Sequence, residues 1–320
     1  MRNTLASNID AWRQIGASET VLRYISNGVK FPIVDIPSFC CENKQFSSLQ
    51  SKFLLKEIND LLWLGHVVPC GVKPRCVSPI NCIPKKNGKY RLVTDLRLLN
   101  NKCQPPKFKN EDISTVISFI QPKDYIVTAD LKDGFFHVPV HPDHQELLGF
   151  QFRGNYYKWT VLPFGHSCSP YFFTKVLRPV IAYLRAQGLR VVVYVDDFIL
   201  LAEEKCINSH RQLLLKTLQD LGWVVNFEKS SLVESYVKPY LGYIIDTSGE
   251  QCVIRITSER IRKLKRDIKK VLFKGEIQAR GLARIAGQCV SMSKCIFPAK
   301  LLLRNLYRLL ATQKSWTVYF

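Results

Sequence analysis

The chain has 320 residues, 47% apolar and 22% charged, which is enough apolar surface for a core and too little charge for a disordered chain. No apolar run reaches the roughly 18 residues of a membrane span and the N-terminus lacks the apolar stretch of a secretory leader, so a soluble, intracellular protein with no membrane partner is expected. Lys and Arg number 46 against 26 Asp and Glu, a net charge of +20, and residues 251–320 alone hold 16 basic against 3 acidic side chains. That imbalance predicts a polyanionic partner, nucleic acid above all, gripped by the C-terminal region. The eleven cysteines form no CxxC pair and no zinc-like spacing, so they are expected as reduced thiols without a function.

In chain order, the spacing predicts a helix over 48–64, with Phe53, Ile58, Leu61 and Leu62 on one face and Gly65 as its stop. Residues 76–96 read as two strands around a turn at Lys85-Lys86-Asn87-Gly88-Lys89. Tyr125 to Leu131 is a β-rich run that carries a carboxylate near its end, at Asp130. A second hairpin turns at Arg153-Gly154-Asn155. A long helix follows, with Ser169 as N-cap, Pro170 in its first turn and a stripe from Phe173 to Leu184. Val191 to Leu201 places Asp196-Asp197 between two apolar strands, a hairpin with carboxylates at its tip. A further helix is expected over 209–221. From Thr257 the pattern is helical and basic, with Ile261, Leu264, Ile268 and Val271 as the core stripe and Arg262, Lys263, Lys265, Arg266, Lys269 and Lys270 outside it.

Adjacent carboxylates between buried strands repel each other unless a cation offsets them. With Asp130 as a third hard oxygen donor, the set suits magnesium, and two such ions activate a hydroxyl and stabilise a pyrophosphate leaving group. Taken alone, Asp196-Asp197 could equally be a polar turn. The surrounding strings decide otherwise. Tyr194-Val195-Asp196-Asp197 resembles the catalytic box of reverse transcriptases, and further boxes follow in that family's order. They are Ile83 to Val93 with Asp95 to Asn100, then Asp130-Leu131-Lys132-Asp133-Gly134-Phe135-Phe136, then Leu162-Pro163-Phe164-Gly165 with Ser169-Pro170, then Phe227-Glu228-Lys229-Ser230, and Tyr240-Leu241-Gly242-Tyr243. The flavour is that of retroelement enzymes, gypsy- and retrovirus-like and especially the DIRS group: Phe164 stands where retroviral enzymes carry Gln, and Gly28 to Pro32 and Ala279 to Gly287 are DIRS-like.

The resemblance implies an α+β right hand: an N-terminal extension over 1–45, interleaved fingers and palm over 46–250 with an antiparallel palm sheet, a basic helical thumb over 251–320, and no RNase H domain. It implies Asp130, Asp196 and Asp197 as catalytic residues, and the same three with Leu131 as ligands of two Mg2+ ions, with Mn2+ as substitute. Lys86, Arg91, Phe135, Phe164, Gly165 and Lys229 would bind the nucleotide. Phe135 would exclude a 2′-hydroxyl, while Phe136, the next residue on the strand, would face the other way into the core. Asp95 and Arg97 read as a structural ion pair. Leu241, Gly242 and Tyr243 would hold the primer end, and Arg262, Lys265, Arg266 and Lys269 the duplex. The implied reaction is RNA-directed DNA synthesis from deoxynucleoside triphosphates on an RNA template with a DNA primer. Two alternatives are a degenerate copy kept as a nucleic-acid-binding protein, against which the intact acids argue, and a polymerase of ribonucleotides, against which Phe135 argues.

Overall fold

The computed structural model describes residues 4–84, 88, 90–296, 298–313 and 315–319. Its contacts divide the chain into two compact units, one formed by 1–111, 128–200 and 208–232, the other by 112–127, 201–207 and 233–320.

In the first unit, the N-terminal segment is part of the core: Leu5, Trp12, Ile25 and Val29 are buried. Ser18 caps the helix Glu19–Asn27, its side chain accepting from the Val21 N–H. Gly28 follows at φ +84 because a Cβ there would lie 2.4 Å from the His141 nitrogen, so only glycine lets the segment close on Val140 and His141. The helix Ser48–Leu64 carries a reciprocal capping box between Ser47 and Gln50 and ends at left-handed Gly65. Its buried line is Leu54, Ile58 and Leu61: Ile58 and Leu61 face inward as expected, while Leu54 is buried and Phe53 and Leu62 are only half-buried.

Strands Ile80–Pro84 and Tyr90–Thr94 pair antiparallel, as the spacing predicted. The Lys86 position in their turn lies outside the described residues. Strands Gly149–Phe152 and Asn155–Trp159 form the second hairpin, turning through Arg153 and Gly154, both at positive φ. They belong to a five-stranded sheet with Phe39–Cys40, Cys76–Ser78 and Val67–Cys70. The helix Ser169–Ala186 buries Phe172, Phe173, Val176, Leu177, Val180, Ile181 and Leu184. Ser169 is not its N-cap: it is the first helical residue, and its hydroxyl donates to the Pro163 carbonyl at 3.0 Å, while Cys168 occupies the cap without a side-chain bond. The next helix runs Glu204–Asp220, starting five residues before the expected Ser209, because Cys206 and Ile207 already donate to the Glu203 carbonyl and Ile207 is buried. Strands Ser231–Ser235, Tyr125–Asp130, Asp197–Ala202 and Arg190–Tyr194 form a four-stranded sheet in that spatial order, of which residues 128–130, 190–194, 197–200 and 231–232 belong to this unit.

In the second unit, Val237–Tyr240, Tyr243–Asp246 and Val253–Ile256 form an antiparallel three-stranded sheet. The basic helix Ser258–Lys274 ends at left-handed Gly275. Its expected core stripe is not a core: no residue of the helix is buried, and Ile261 and Ile268 keep more than a third of their surface exposed. The partner helix Ala279–Val290, which buries Leu282, Ile285 and Ala286, meets it partly through polar contacts: Gln288 donates to Asp267 at 3.0 Å and Arg284 lies 3.9 Å from the same carboxylate. Among the described residues no helix is long and apolar enough to cross a membrane, and the eleven cysteines are free thiols.

Candidate active site

Two backbone structures bring the acids together. The strand Tyr125–Asp130 is anchored by buried Ile126, Val127 and Ala129. At its end Asp130 donates its N–H to Ser230 Oγ at 3.0 Å and accepts from the Asn226 N–H at 2.8 Å, while Leu131 donates to the Asp196 carbonyl at 3.2 Å. Leu131 stands opposite Val225 in an antiparallel bridge whose hydrogen bonds run through the Asp130 carbonyl and the Lys132 N–H. The second structure is the hairpin Arg190–Tyr194 and Asp197–Ala202, with Val195 and Asp196 in the turn. Val195 sits at φ +57, a conformation a β-branched residue adopts only under strain, of order 1–3 kcal/mol. The buried strands on both sides enforce it.

The electrostatics follow from this crowding. Burial first, then the Asp130 charge, raise the Asp196 carboxyl above the ordinary range, against the lowering effect of a backbone hydrogen bond. Asp197 is pushed up to about 6, by burial and then by the charges of Asp196 and Asp130, although its outer edge is exposed. Asp130 Oδ1 is buried with no hydrogen-bond partner. The Lys229 ammonium stands 3.6 Å from that atom on a side chain 70% exposed. An orphaned carboxylate oxygen beside two further acids is the donor chemistry of a hard divalent cation, so the residues fit one. Among the described residues, however, no three His, Cys, Asp or Glu side chains are already gathered as ion ligands. Binding would have to draw the carboxylates together.

A cleft of about 360 Å³ opens at the acids, and Arg91, Leu131, Phe164, Asp196 and Lys229 line it together. Gly165, at φ +89, is fixed from outside by Asn100, whose amide donates to its carbonyl at 2.9 Å. Asp95 and Arg97 pair side chain to side chain, with 2.6 Å between Nη2 and Oδ2. Phe135 and Phe136 do not lie on a strand. Asp133 turns the chain at φ +50 and Gly134–His137 is a 3₁₀ turn, so the two rings do not alternate between faces. Both bear on Phe164, at centroid distances of 5.3 and 5.2 Å, and it is Phe136 that lines the cleft, with Trp159 behind it at 5.3 Å. The expectation that Phe136 faces away is therefore wrong. Gly134 makes the turn sterically feasible: a Cβ would stand 3.0 Å from the Phe173 ring and 3.3 Å from Asp196 Cβ.

Asp133 and Glu57 also border the cleft and had not been singled out. For Asp133 the available signal was an Asp-Gly pair three residues after a strand-end carboxylate. In the second unit, Leu241 at φ +47 and Gly242 at φ +79 form a two-residue hairpin turn between paired strands. Arg260, also unanticipated, clamps that turn. It donates to the carbonyls of Leu241 and Gly242 at 3.1 and 3.3 Å and to Ser291 Oγ at 2.7 Å, and its guanidinium lies over the Tyr243 ring at 5.2 Å. Tyr243 donates its hydroxyl to the Ser291 carbonyl. Arg262, Lys265, Arg266 and Lys269 share one helix face with Phe273, which is 92% exposed.

Comparison with known proteins identifies the family. The family model of the reverse transcriptase (RNA-dependent DNA polymerase) matches residues 83–245. The chain is 32% identical over 189 residues to the Gag-Pol polyprotein of Walleye dermal sarcoma virus, covering 57% of this chain and 11% of that one. It is 31% identical over 194 residues to the Pro-Pol polyprotein of Feline foamy virus, covering 60% and 16%. It thus spans under a fifth of these curated relatives. Among solved structures, the foamy viral protease-reverse transcriptase in complex with double-stranded DNA superposes with a TM-score of 0.67 at 21% identity, over 97% of this chain and 67% of that one. The same enzyme in complex with an RNA/DNA hybrid gives 0.65 at 20%, over 96% and 43%. The fold is that of these polymerases, and the chain belongs to the reverse transcriptase family, of the retroelement type.

Proposed function

We propose that this chain carries out RNA-directed DNA synthesis, adding deoxynucleoside triphosphates to a primer 3′-hydroxyl on an RNA or DNA template, as part of a retroelement. The observation that carries the reading is the orphaned Oδ1 of Asp130 beside the strained Val195-Asp196 turn, whose Asp196 lines a cleft that also holds Arg91 and Lys229. Asp130, Asp196, Asp197 and the Leu131 carbonyl would hold two magnesium ions, with manganese as substitute. Bound there, such ions lower the cost of ionising the 3′-hydroxyl and of releasing pyrophosphate.

The remaining work falls to the chain. Arg91, with Lys86, clamps the triphosphate, Arg as a fork and Lys as a point charge. Lys229, whose ammonium already stands at the acids, hands a proton to the departing pyrophosphate. Phe135, Phe136 and Phe164 form an aromatic floor that leaves no space for a 2′-hydroxyl. Leu241, Gly242 and Tyr243, on a turn fixed by Arg260, hold the primer end, and Arg262, Lys265, Arg266 and Lys269 grip the duplex. In this reading, residues 46–250 serve as fingers and palm, 251–320 as the thumb, and 1–45 as a segment bound into the first of these. The double-stranded DNA and RNA/DNA hybrid held by the solved relatives support the choice of partners.

The test is magnesium-dependent primer extension by Asp196→Asn. Losing one ligand charge from a two-ion site should lower the rate by orders of magnitude and leave primer-template binding intact. Extension above about a tenth of the wild-type rate refutes the assignment.

A further inference from the structure

A file of aromatic rings runs through the first unit from its N-terminal segment to the nucleotide cleft. It begins at Trp12, fully buried in the helix Ile9–Gln14. Trp12 is fixed in orientation, because its Nε1–H donates to the Leu221 carbonyl at 3.0 Å. Its ring meets Trp223 edge-on at 6.1 Å and 61°. Trp223 is also buried, but its own Nε1 has no hydrogen-bond partner, so nothing polar fixes that ring and its neighbours alone decide where it lies. Trp223 meets Phe173 at 5.7 Å and 83°, and Phe173 meets Phe135 at 5.1 Å and 84°. Phe135 in turn touches Phe164 on the cleft wall.

Phe173 has no room to adjust, since its rim already fills the space above Gly134. In an interior packed at crystal density a ring cannot shift alone; the neighbour on its free side follows. The file ends on Phe164, whose free side is the cleft. We propose that Trp12 is a positioning residue for the nucleotide floor: acting through Trp223 and Phe173, the N-terminal helix holds Phe135 against Phe164 on the cleft wall and thereby sets the discrimination between deoxyribose and ribose. This rests on the polymerase reading above. It assigns to the first residues of the chain a part in substrate selection that neither their sequence nor their distance along the chain from the acids suggests.

A merely structural Trp12 would change how much enzyme is folded. That scales activity on both sugars alike and leaves their ratio untouched, so the ratio of kcat/KM for matched deoxy- and ribonucleotides is the readout. Trp12→Leu should lower the ratio by about threefold to tenfold, the scale of coupling carried through packed side chains. Trp12→Phe, which keeps a ring against Trp223, should bring it back to within twofold of wild type. In a Phe135→Ala background Trp12→Leu should add nothing, because no ring is left to position. Where Trp12→Leu yields too little active enzyme, Trp12→Met, closer in volume, carries the same measurement. If Phe135→Ala or Phe136→Ala relaxes sugar choice while Trp12→Leu or Trp12→Met leaves the ratio within twofold, the inference fails and the floor stands. If neither floor variant moves the ratio, the floor reading fails and the inference with it.

Discussion

Gly134 offers the sharpest test of how the turn after Asp130 is built. Its φ lies outside the left-handed region, so the backbone itself admits alanine. By the unfolded-state argument alone Gly134→Ala would stabilise by about 0.4–1 kcal/mol. The space says otherwise. The new Cβ would stand 3.0 and 3.2 Å from two atoms of the Phe173 ring and 3.3 Å from Asp196 Cβ. The ring is held on its other edges by Phe135 and Trp223, so it cannot swing aside. Overpacking of this kind costs about 1–3 kcal/mol, which exceeds the entropic gain. For a unit of this size that corresponds to a fall in Tm of about 2–4 °C per kcal/mol. The contact at Asp196 adds a second effect. A displacement of a few tenths of an ångström there should lower kcat by about tenfold, since a full ångström costs on the order of a hundredfold. Steady-state primer extension and thermal unfolding on the same preparation separate the two. Phe173→Leu in the Gly134→Ala background removes the clashing rim and should restore part of the Tm. Wild-type kcat and Tm for Gly134→Ala would refute the reasoning, because the turn would then have slack that the distances deny.

Two further outcomes follow from charge. Replacing Lys265, Arg266 and Lys269 together by Glu should weaken duplex binding and flatten its salt dependence, whose slope is about 0.9 per neutralised phosphate; an unchanged slope would leave that helix face merely solvated. His166 is 2% exposed, its ring tilted by 34° against Phe31 at 3.9 Å, and its Nδ1 accepts the Cys168 N–H at 3.2 Å, which leaves the proton on Nε2 facing Cys103 Sγ at 3.6 Å. Burial, then the charge of His144, holds it down at about 3 against an ordinary 6.5. The unfolded chain therefore takes up a proton that the folded one refuses. This contribution to stability is complete above about pH 6.5 and is lost as pH falls towards 3, at about 1.4 kcal/mol per pH unit. Denaturant unfolding from pH 7 to 4 should show a shallower acid loss for His166→Phe than for wild type, with His66, depressed to about 4, supplying much of what remains. Parallel curves would contradict the assignment.

Local signals gave the hairpins and the acids. The Arg153-Gly154 turn, the pairing across 80–94 and the carboxylates between apolar strands each depend on residues close in sequence. What escaped the sequence depends on distant partners. The helix Ser48–Leu64 was legible and Ile58 and Leu61 face inward as expected, yet Leu54 is buried in place of Phe53, because the two are equally apolar and only the neighbours choose between them. The alternation assumed for Phe135 and Phe136 failed because Asp133 leaves the strand through a left-handed conformation. Arg260 looked like one more member of a basic run, and only the turn at Leu241-Gly242, eighteen residues before it, shows it to be a clamp. A basic amphipathic helix was foreseen from Thr257 and is found over Ser258–Lys274, but an apolar stripe in a sequence does not reveal whether anything covers it.

The docking of the N-terminus has a consequence for biosynthesis. Trp12 donates to a carbonyl 209 residues further on, and the Thr4 carbonyl lies so near Gly222 that a Cβ there would come within 2.3 Å of it. On a ribosome adding about 5–20 residues per second, the first helix emerges about 10–40 s before the segment that receives it. Trp12, fully buried at the end, spends that interval without Leu221 and Trp223, and closing so long a loop is intrinsically slow. A nascent chain stopped short of residue 223 leaves Trp12 without its seat, so fragments ending there should depend on chaperones to stay in solution, whereas chains that reach the strand Ser231–Ser235 carry the means to bury it.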